Sequence, residues 1–255
     1  MIDEPTSVIV SRSWLVSRAM NTANFDLLNA NGLNMQAVLN LVDLPEHLRA
    51  GITQQVPGYA DYRQLILIGH TGREMWKQLQ SSECKAVDDP IDSFSVDRIQ
   101  RWCAEQAPEA SYEIIYPASQ GVVPLQTLGK LAGWHHDSPF CVGINQAWGS
   151  WFAYRVAILA DSDFNTTEQL QSSSPCEGCE AKPCINACPA NALLGGDFAM
   201  GSCINYRLSE GSRCKNSCLS RLTCPVADEH RYSLEQIHYH YSRSMKTIED
   251  YRQKP

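Results

Sequence analysis

The chain of 255 residues has no long apolar run, little excess of either charge and, over its first two-thirds, almost no cysteine. Each shortage excludes something. No stretch approaches the roughly 18 consecutive apolar residues of a membrane-spanning helix, and the most apolar segment, 151–160, is interrupted by Arg155. Met1-Ile2-Asp3-Glu4-Pro5 lacks the basic-then-apolar pattern of a secretory leader, so a soluble, cytoplasmic protein without a membrane partner is expected. Lys and Arg number 21 against 28 Asp and Glu, a net charge of −7. A chain of that sign is a poor generic binder of nucleic acid. With 44% hydrophobic and only 19% charged residues, it is also not a disordered chain.

Cysteine is scarce and then abundant. Cys84, Cys103 and Cys141 are the only ones before residue 176, and the other eight of the 11 lie between Cys176 and Cys224. The change predicts an ordinary α+β region over 1–170, a compact cysteine-rich module over 171–230 and a helical tail over 231–255. Clustered cysteines in a chain that is not secreted point to metal rather than to disulfides.

Cys176, Cys179, Cys184 and Cys188-Pro189 form C-x2-C-x4-C-x3-C-P. This is the C-x2-C-x2-C-x3-C-P run of bacterial two-cluster ferredoxins with two more residues in the middle spacer. In that run a tight loop aims three sulfurs at one [4Fe–4S] cluster and the fourth cysteine serves the other. Lys182-Pro183 fits as the insertion. Cys203, Cys214, Cys218 and Cys224-Pro225 form a looser second half, again closed by Cys-Pro. Crossing the fourth ligands assigns Cys176, Cys179, Cys184 and Cys224 to one cluster and Cys188, Cys203, Cys214 and Cys218 to the other. Two four-thiolate zinc sites would use the same number of cysteines, although zinc pairs more often come as two C-x2-C knuckles. Disulfides are the third alternative. Two clusters imply electron transfer, with an acceptor in the region ahead of them.

The remaining pattern predicts helices over 13–20, 24–30, 73–80, 96–106 (capped by Ser95), 125–132 and 233–252. Leu234, Ile237, Tyr241, Met245 and Ile248 mark one face of the last helix. Strands are expected over 36–44, 64–68, 112–116 and 151–159, although the last would also fit a buried helix. The segments 45–59 and 81–93 read as loops and 166–175 as a polar linker. Gly69-His70-Thr71-Gly72 reads as a turn between strand and helix whose N–H groups can hold an anion.

Leu131-Ala132-Gly133-Trp134, Gly149-Ser150-Trp151-Phe152, the ferredoxin run and Cys203-Ile204-Asn205-Tyr206 follow one another at intervals that resemble the epoxyqueuosine reductase family. The resemblance covers about 125–225. It implies a nitroreductase-like α+β domain holding base-off cobalamin, and a ferredoxin-like module that delivers electrons to cobalt. It marks Gly149, Ser150 and Trp151 as cobalamin contacts, and an electron donor of flavodoxin or ferredoxin type as partner. The chain also departs from the family. His135-His136-Asp137-Ser138-Pro139 follows Gly-Trp in place of an Ile-Gly-Lys segment. The stretch ahead of it, Glu113-Ile114-Ile115-Tyr116-Pro117, carries no match to the family's general acid. No helical-repeat tail for holding tRNA follows Cys224. A small-molecule or corrin substrate is therefore expected in place of tRNA.

His136 and Asp137 are the candidate proton donors, set against a plain polar loop. Trp148, Trp151, Phe152 and Tyr154 suit a corrin face or a sheet core equally well. Cys84, Cys103 and Cys141 read as apolar fillers, and His238-Tyr239-His240 as surface. The rival class is an electron carrier without cobalamin, whose N-terminal region docks a redox partner.

Overall fold

The computed structural model describes residues 21–56, 58–117 and 122–253. Four strands form one antiparallel sheet in the order β1-β2-β4-β3: β1 Met35–Asn40, β2 Gln64–Thr71, β3 Tyr112–Tyr116 and β4 Phe152–Ala160. β2 is buried at every residue, as its Leu-Ile-Leu-Ile run requires of a central strand. Alternation then sorts side chains to the two faces.

On one face Ile66, Ile68, Val156 and Ile158 pack against α1 (Asp26–Ala30), α3 (Glu74–Gln80) and α4 (Pro90–Gln106) through Leu28, Met75, Leu79, Phe94, Ile99 and Trp102. On the other, Leu65, Leu67, Ala157 and Leu159 meet Leu48 and Ile52 of α2 (Glu46–Gln55) and Leu128 of α5 (Leu125–Leu131). The result is an α+β layered domain with a core on each side of the sheet. The cysteine-rich segment adds three short helices, α6 (Pro183–Asn186), α7 (Met200–Leu208) and α8 (Leu219–Leu222), and α9 (Leu234–Gln253) closes the molecule.

Several expectations are corrected. The expected loop over 45–59 contains α2, because Leu48, Ile52 and Val56 recur at helical spacing and are buried. Gly51 is tolerated there because it faces open space. The strand expected over 36–44 stops at Asn40 and passes into a 3-10 turn. Helix α4 begins at Pro90, with proline in the first turn where its missing N–H costs nothing. Ser95 is therefore no cap; it is buried mid-helix and its hydroxyl donates to the Ile91 carbonyl at 2.7 Å. Gly69, His70 and Thr71 extend β2 rather than turning, so no N–H cradle forms. A Cβ on Gly69 would lie 2.9 Å from the Ala153 carbonyl oxygen, which explains the glycine. The helix expected over 13–20 lies outside the described residues.

Helix α9 is a clasp rather than an appendage. Arg243 pairs with Asp89, the Trp76 indole N–H points at Glu235 and the Trp76 ring packs on Tyr239, all toward the sheet domain. Toward the cysteine segment, Arg207 donates to the Tyr241 carbonyl and the Ser244 hydroxyl. Ile237 and Met245 are buried as its apolar face predicted, but Leu234 is 69% exposed.

Trp102 holds the α1–α4 corner. Its ring stacks on Phe25 and tilts against Phe164, and its N–H donates to the Asn24 carbonyl at 2.7 Å. Trp102→Ala is expected to cost about 3–5 kcal/mol, read as a lowered midpoint in denaturant unfolding; a loss below about 1 kcal/mol would contradict this packing.

Candidate redox site

The structure gathers the eight cysteines into two rings. Cys176, Cys179, Cys184 and Cys224 surround a cavity of about 60 Å³, and Cys188, Cys203, Cys214 and Cys218 surround a second of about 180 Å³. Local geometry explains the sorting. Lys182 takes a left-handed φ of 37° and Pro183 opens α6, so the two-residue insertion becomes a turn that feeds Cys184 into the helix. Cys188, two residues beyond α6, reaches the second ring. In mirror fashion α8 follows Cys218 and precedes Cys224, which returns to the first ring, and α6 packs on α8. None of the eight is in a disulfide. Burial pushes the thiols of Cys176, Cys184, Cys203, Cys214 and Cys224 up, so thiolates there call for a positive centre between them.

Two buried arginines flank the rings, and no carboxylate pairs with either among the described residues. Arg207, on α7, lines the second cavity. It donates to the carbonyls of Cys214 (3.2 Å), Lys215 (3.4 Å) and Tyr241 (3.1 Å), and to the Ser244 hydroxyl (3.0 Å). Arg221, on α8, donates to the Ser150 carbonyl and hydroxyl and lies over the rings of Trp151 (4.4 Å) and Tyr232 (5.2 Å). Burying a cation is costly unless charge or hydrogen bonds compensate it. Here hydrogen bonds and aromatic faces do part of that.

Gly149, Ser150 and Trp151 therefore lie at the seam between domain and module. A Cβ on Gly149 would come within 2.2 Å of the Val226 carbonyl oxygen, and its φ is +57°. Ser150 and Trp151 are buried beneath Arg221.

A separate pocket of about 360 Å³ opens beside β4, lined by aromatic Tyr116, Phe152 and Tyr154 together with His135, Cys141 and Arg155. Glycine makes room for it: a Cβ on Gly143 would lie 2.5 Å from His135 Nδ1. The segment 140–142 connects all three cavities, since Phe140 borders both cysteine rings and Val142 borders the second ring and this pocket.

The two proposed proton donors do not line this pocket. Asp137 is exposed and hydrogen-bonded by Lys130 at 2.8 Å, which holds its carboxyl below the usual range, so it is poorly placed as a general acid. His136 shares a hydrogen bond with the Ser172 hydroxyl at 2.9 Å. The histidine in the pocket is His135, with Nδ1 3.0 Å from the Tyr154 hydroxyl and Nε2 3.4 Å from Asp137. Burial keeps it less basic than ordinary. Cys103 is a buried filler, its thiol pushed up to about 12, and Cys84 packs at the edge of the same core. Cys141 is instead exposed, at φ 57°.

Sequence reasoning missed the arginines, one buried histidine and one half-buried histidine. His70 is fully buried, with Nδ1 accepting from Arg155 Nε at 2.9 Å. His240, read as surface, packs on Trp76 and Tyr232. His238, two residues earlier, is exposed as expected.

In its class the molecule is an α+β domain clasped to a module with eight cysteines. Its fold is that of solved epoxyqueuosine reductases. The Bacillus subtilis structure matches with a TM-score of 0.51 and 12% identity over 82% of this chain and 66% of that one. A second, solved with an epoxyqueuosine-modified tRNA-Tyr stem loop, matches with a TM-score of 0.50, 12% identity and the same coverage. The chain thus spans slightly less than two-thirds of those proteins. A Caenorhabditis elegans B12-trafficking protein, CblC, aligns over 88% of this chain and 91% of its own at 16% identity, with a TM-score of 0.48. No family model and no curated protein matches the sequence. No helix among the described residues is long and apolar enough to cross a membrane.

The buried histidines set an acid limit on stability. His240 is pulled down to about 3 by burial and then by Arg155 and Arg221, and His70 well below its ordinary value by burial and then Arg155. Unfolded, each titrates near 6.5, so below that pH the unfolded chain binds the extra protons and is favoured. Stability should fall by about 1 kcal/mol per pH unit per histidine from pH 6.5 downward. His240→Gln should flatten the slope measured by denaturant unfolding between pH 7 and 5; an unchanged slope would refute the assignment.

Proposed function

We propose that this protein is an iron–sulfur reductase that passes electrons through two [4Fe–4S] clusters to base-off cobalamin in the pocket beside β4. The observation that carries the proposal is the partition of eight cysteines into two rings of four, the second sharing a wall residue, Val142, with that pocket. When bound, the clusters relay single electrons and the cobalamin takes them up at cobalt.

The residues fit these groups. Each ring presents four thiols to a cavity, the number of ligands that a [4Fe–4S] cluster takes. Arg207 and Arg221 supply buried positive charge where four-thiolate clusters carry negative charge. Phe140 separates the two rings and Val142 separates the second from the pocket, so the path runs from the Cys176 ring to the Cys188 ring and then to β4.

The pocket suits one face of a corrin. Tyr116, Phe152 and Tyr154 offer aromatic surface, and about 360 Å³ lies at the lower end of small-ligand pockets, so the ligand would be partly open to solvent. His135 has both ring nitrogens engaged, one with the Tyr154 hydroxyl and one with Asp137, so its ring is held at the wall of the pocket. The Tyr154 hydroxyl, hydrogen-bonded to His135, is the polar group best placed to hold a proton at that face. The substrate is a small molecule or a corrin; the tRNA stem loop belongs to the structural neighbour. The electron donor is of flavodoxin or ferredoxin type.

Anaerobically purified protein should contain about eight iron and eight sulfide per chain and give reduced-cluster EPR signals. Cys184→Ser and Cys214→Ser should each perturb a different signal. Protein without iron would refute the proposal. Added cob(II)alamin should change to a base-off spectrum; an unchanged spectrum with intact clusters would leave an electron carrier without cobalamin. Arg207→Met should lower the midpoint potential of one cluster by roughly 60 mV, tenfold in a one-electron equilibrium, with the other unmoved. Equal shifts in both would remove Arg207 from this role.

A further inference from the structure

We propose that α9 is a lid over the second cysteine ring, which lifts when His240 takes up a proton. The cover is direct. Tyr241 lines the second cavity, and Arg207, which also lines it, lies over the Tyr241 ring at 5.4 Å. The same arginine donates to the Tyr241 carbonyl and the Ser244 hydroxyl. With α9 lifted, the cavity loses Tyr241 and Arg207 keeps only the Cys214 and Lys215 carbonyls. No residue of α9 lines the first cavity.

The helix is weakly held. Ile237 and Met245 are its buried hydrophobic residues, while Leu234 is exposed. Gln236 is wholly buried, yet neither of its amide atoms has a protein partner, and the enclosed Nε2 of His240 has none either. Polar groups enclosed in this way weaken a seam. Arg243 pairs with Asp89 at the surface, where ion pairs contribute little. A helix so attached opens ahead of the sheet, whose two faces carry the apolar cores.

His240 couples that opening to protons. Its ring packs on Tyr232 from the segment ahead of the helix (5.7 Å), on Trp76 of α3 (6.4 Å) and on Tyr239 (5.7 Å). The charges that act on it are Arg155 of β4 and Arg221 of α8, both positive, and the neutral His70 of β2 stands nearby. The neighbouring acids are engaged elsewhere: Asp89 with Arg243, Asp92 beside Arg155 and Glu235 with the Trp76 N–H. Burial and the two guanidiniums hold the closed ring unprotonated, whereas an uncovered ring titrates near 6.5. Opening therefore takes up one proton and is favoured as pH falls below about 6.5. Tyr232 precedes the helix and stacks on His70 at 5.5 Å, so His70 stays covered when α9 lifts. This deepens the functional reading by naming a regulation of the second ring, and it rests on that reading only where a cluster is measured.

Hydrogen–deuterium exchange of the holoprotein at pH 7.5 and 5.5, corrected for intrinsic exchange and read by peptide mass mapping, tests the lid. Amides of α9 should be less protected than those of β2 and β4 at both values, and their opening should increase about tenfold from pH 7.5 to 5.5. His240→Gln should remove the increase. Arg243→Gln should loosen α9 equally at both values and leave the increase in place. One common protection for α9 and β4, an increase that survives His240→Gln or one that disappears in Arg243→Gln would each overturn the proposal. Should His240→Gln not fold, the wild type still decides, since α9 opening that is the same at both pH values would overturn it as well.

Lifting should uncover the second ring alone. Under an aqueous iron chelator, the EPR signal that Cys214→Ser perturbs should be lost about tenfold faster at pH 5.5 than at 7.5, and His240→Gln should cancel that acceleration. Equal acceleration of the signal that Cys184→Ser perturbs would overturn the placement of the lid. Protein without iron would remove the functional reading, while the exchange result would still decide whether α9 lifts.

Discussion

The architecture depends on a guanidinium buried between two parts of the chain. Arg221 comes from the cysteine segment and ends against the Ser150 carbonyl, the Trp151 face and Tyr232. Phe140 and Ile144 share a small apolar cluster with Leu193, Phe198 and Val226 of that segment, and directional contacts add to it. Arg207 supplies the second set, to its own segment and to α9. Together they explain why Gly149 has no side chain, why Ser150 and Trp151 are buried and why α9 must return across both parts.

The same two arginines couple architecture to chemistry. A cation taken out of water needs negative charge, strong acceptors or aromatic faces. Carbonyls and rings meet part of the need, and no carboxylate meets the rest. Each arginine adjoins a ring of four thiols whose deprotonation burial opposes. Cation and thiolates therefore relieve one another, and a negatively charged cluster within each ring would complete the balance. The clasp and the redox site share one electrostatic problem.

Much of the fold was legible because its strands announce themselves. The Leu-Ile-Leu-Ile of β2 reads as a strand from its apolar run, whereas the apolar run of β4 fits a strand or a buried helix until its pairing with β2 and β3 decides. Helix α2 was hidden because Pro45, Gly51 and Pro57 suggest a loop, while only Leu48, Ile52 and Val56 carry the periodicity, and burial outweighs one mid-helix glycine. Gly69 and Gly72 suggested a turn where Gly69 merely avoids the Ala153 carbonyl. Grouping of the cysteines could be read from spacing because loop length limits which sulfurs meet. The arginine over Gly-Ser-Trp could not, since Arg221 lies 70 residues further on.

Arg155 shows why charges are the hardest part of a site to find in a sequence. Set within Tyr-Arg-Val-Ala-Ile-Leu, it reads as an interruption of a strand. A bulge sets Arg155 beside Val156 without a partner residue on β2, and the buried side chain donates from Nε to His70 Nδ1. The histidine must stay unprotonated to accept from Nε, and burial beside two guanidiniums keeps it so. An apolar, acid-sensitive interior thus holds a guanidinium against a neutral ring, and the stability lost at low pH follows from the same arrangement.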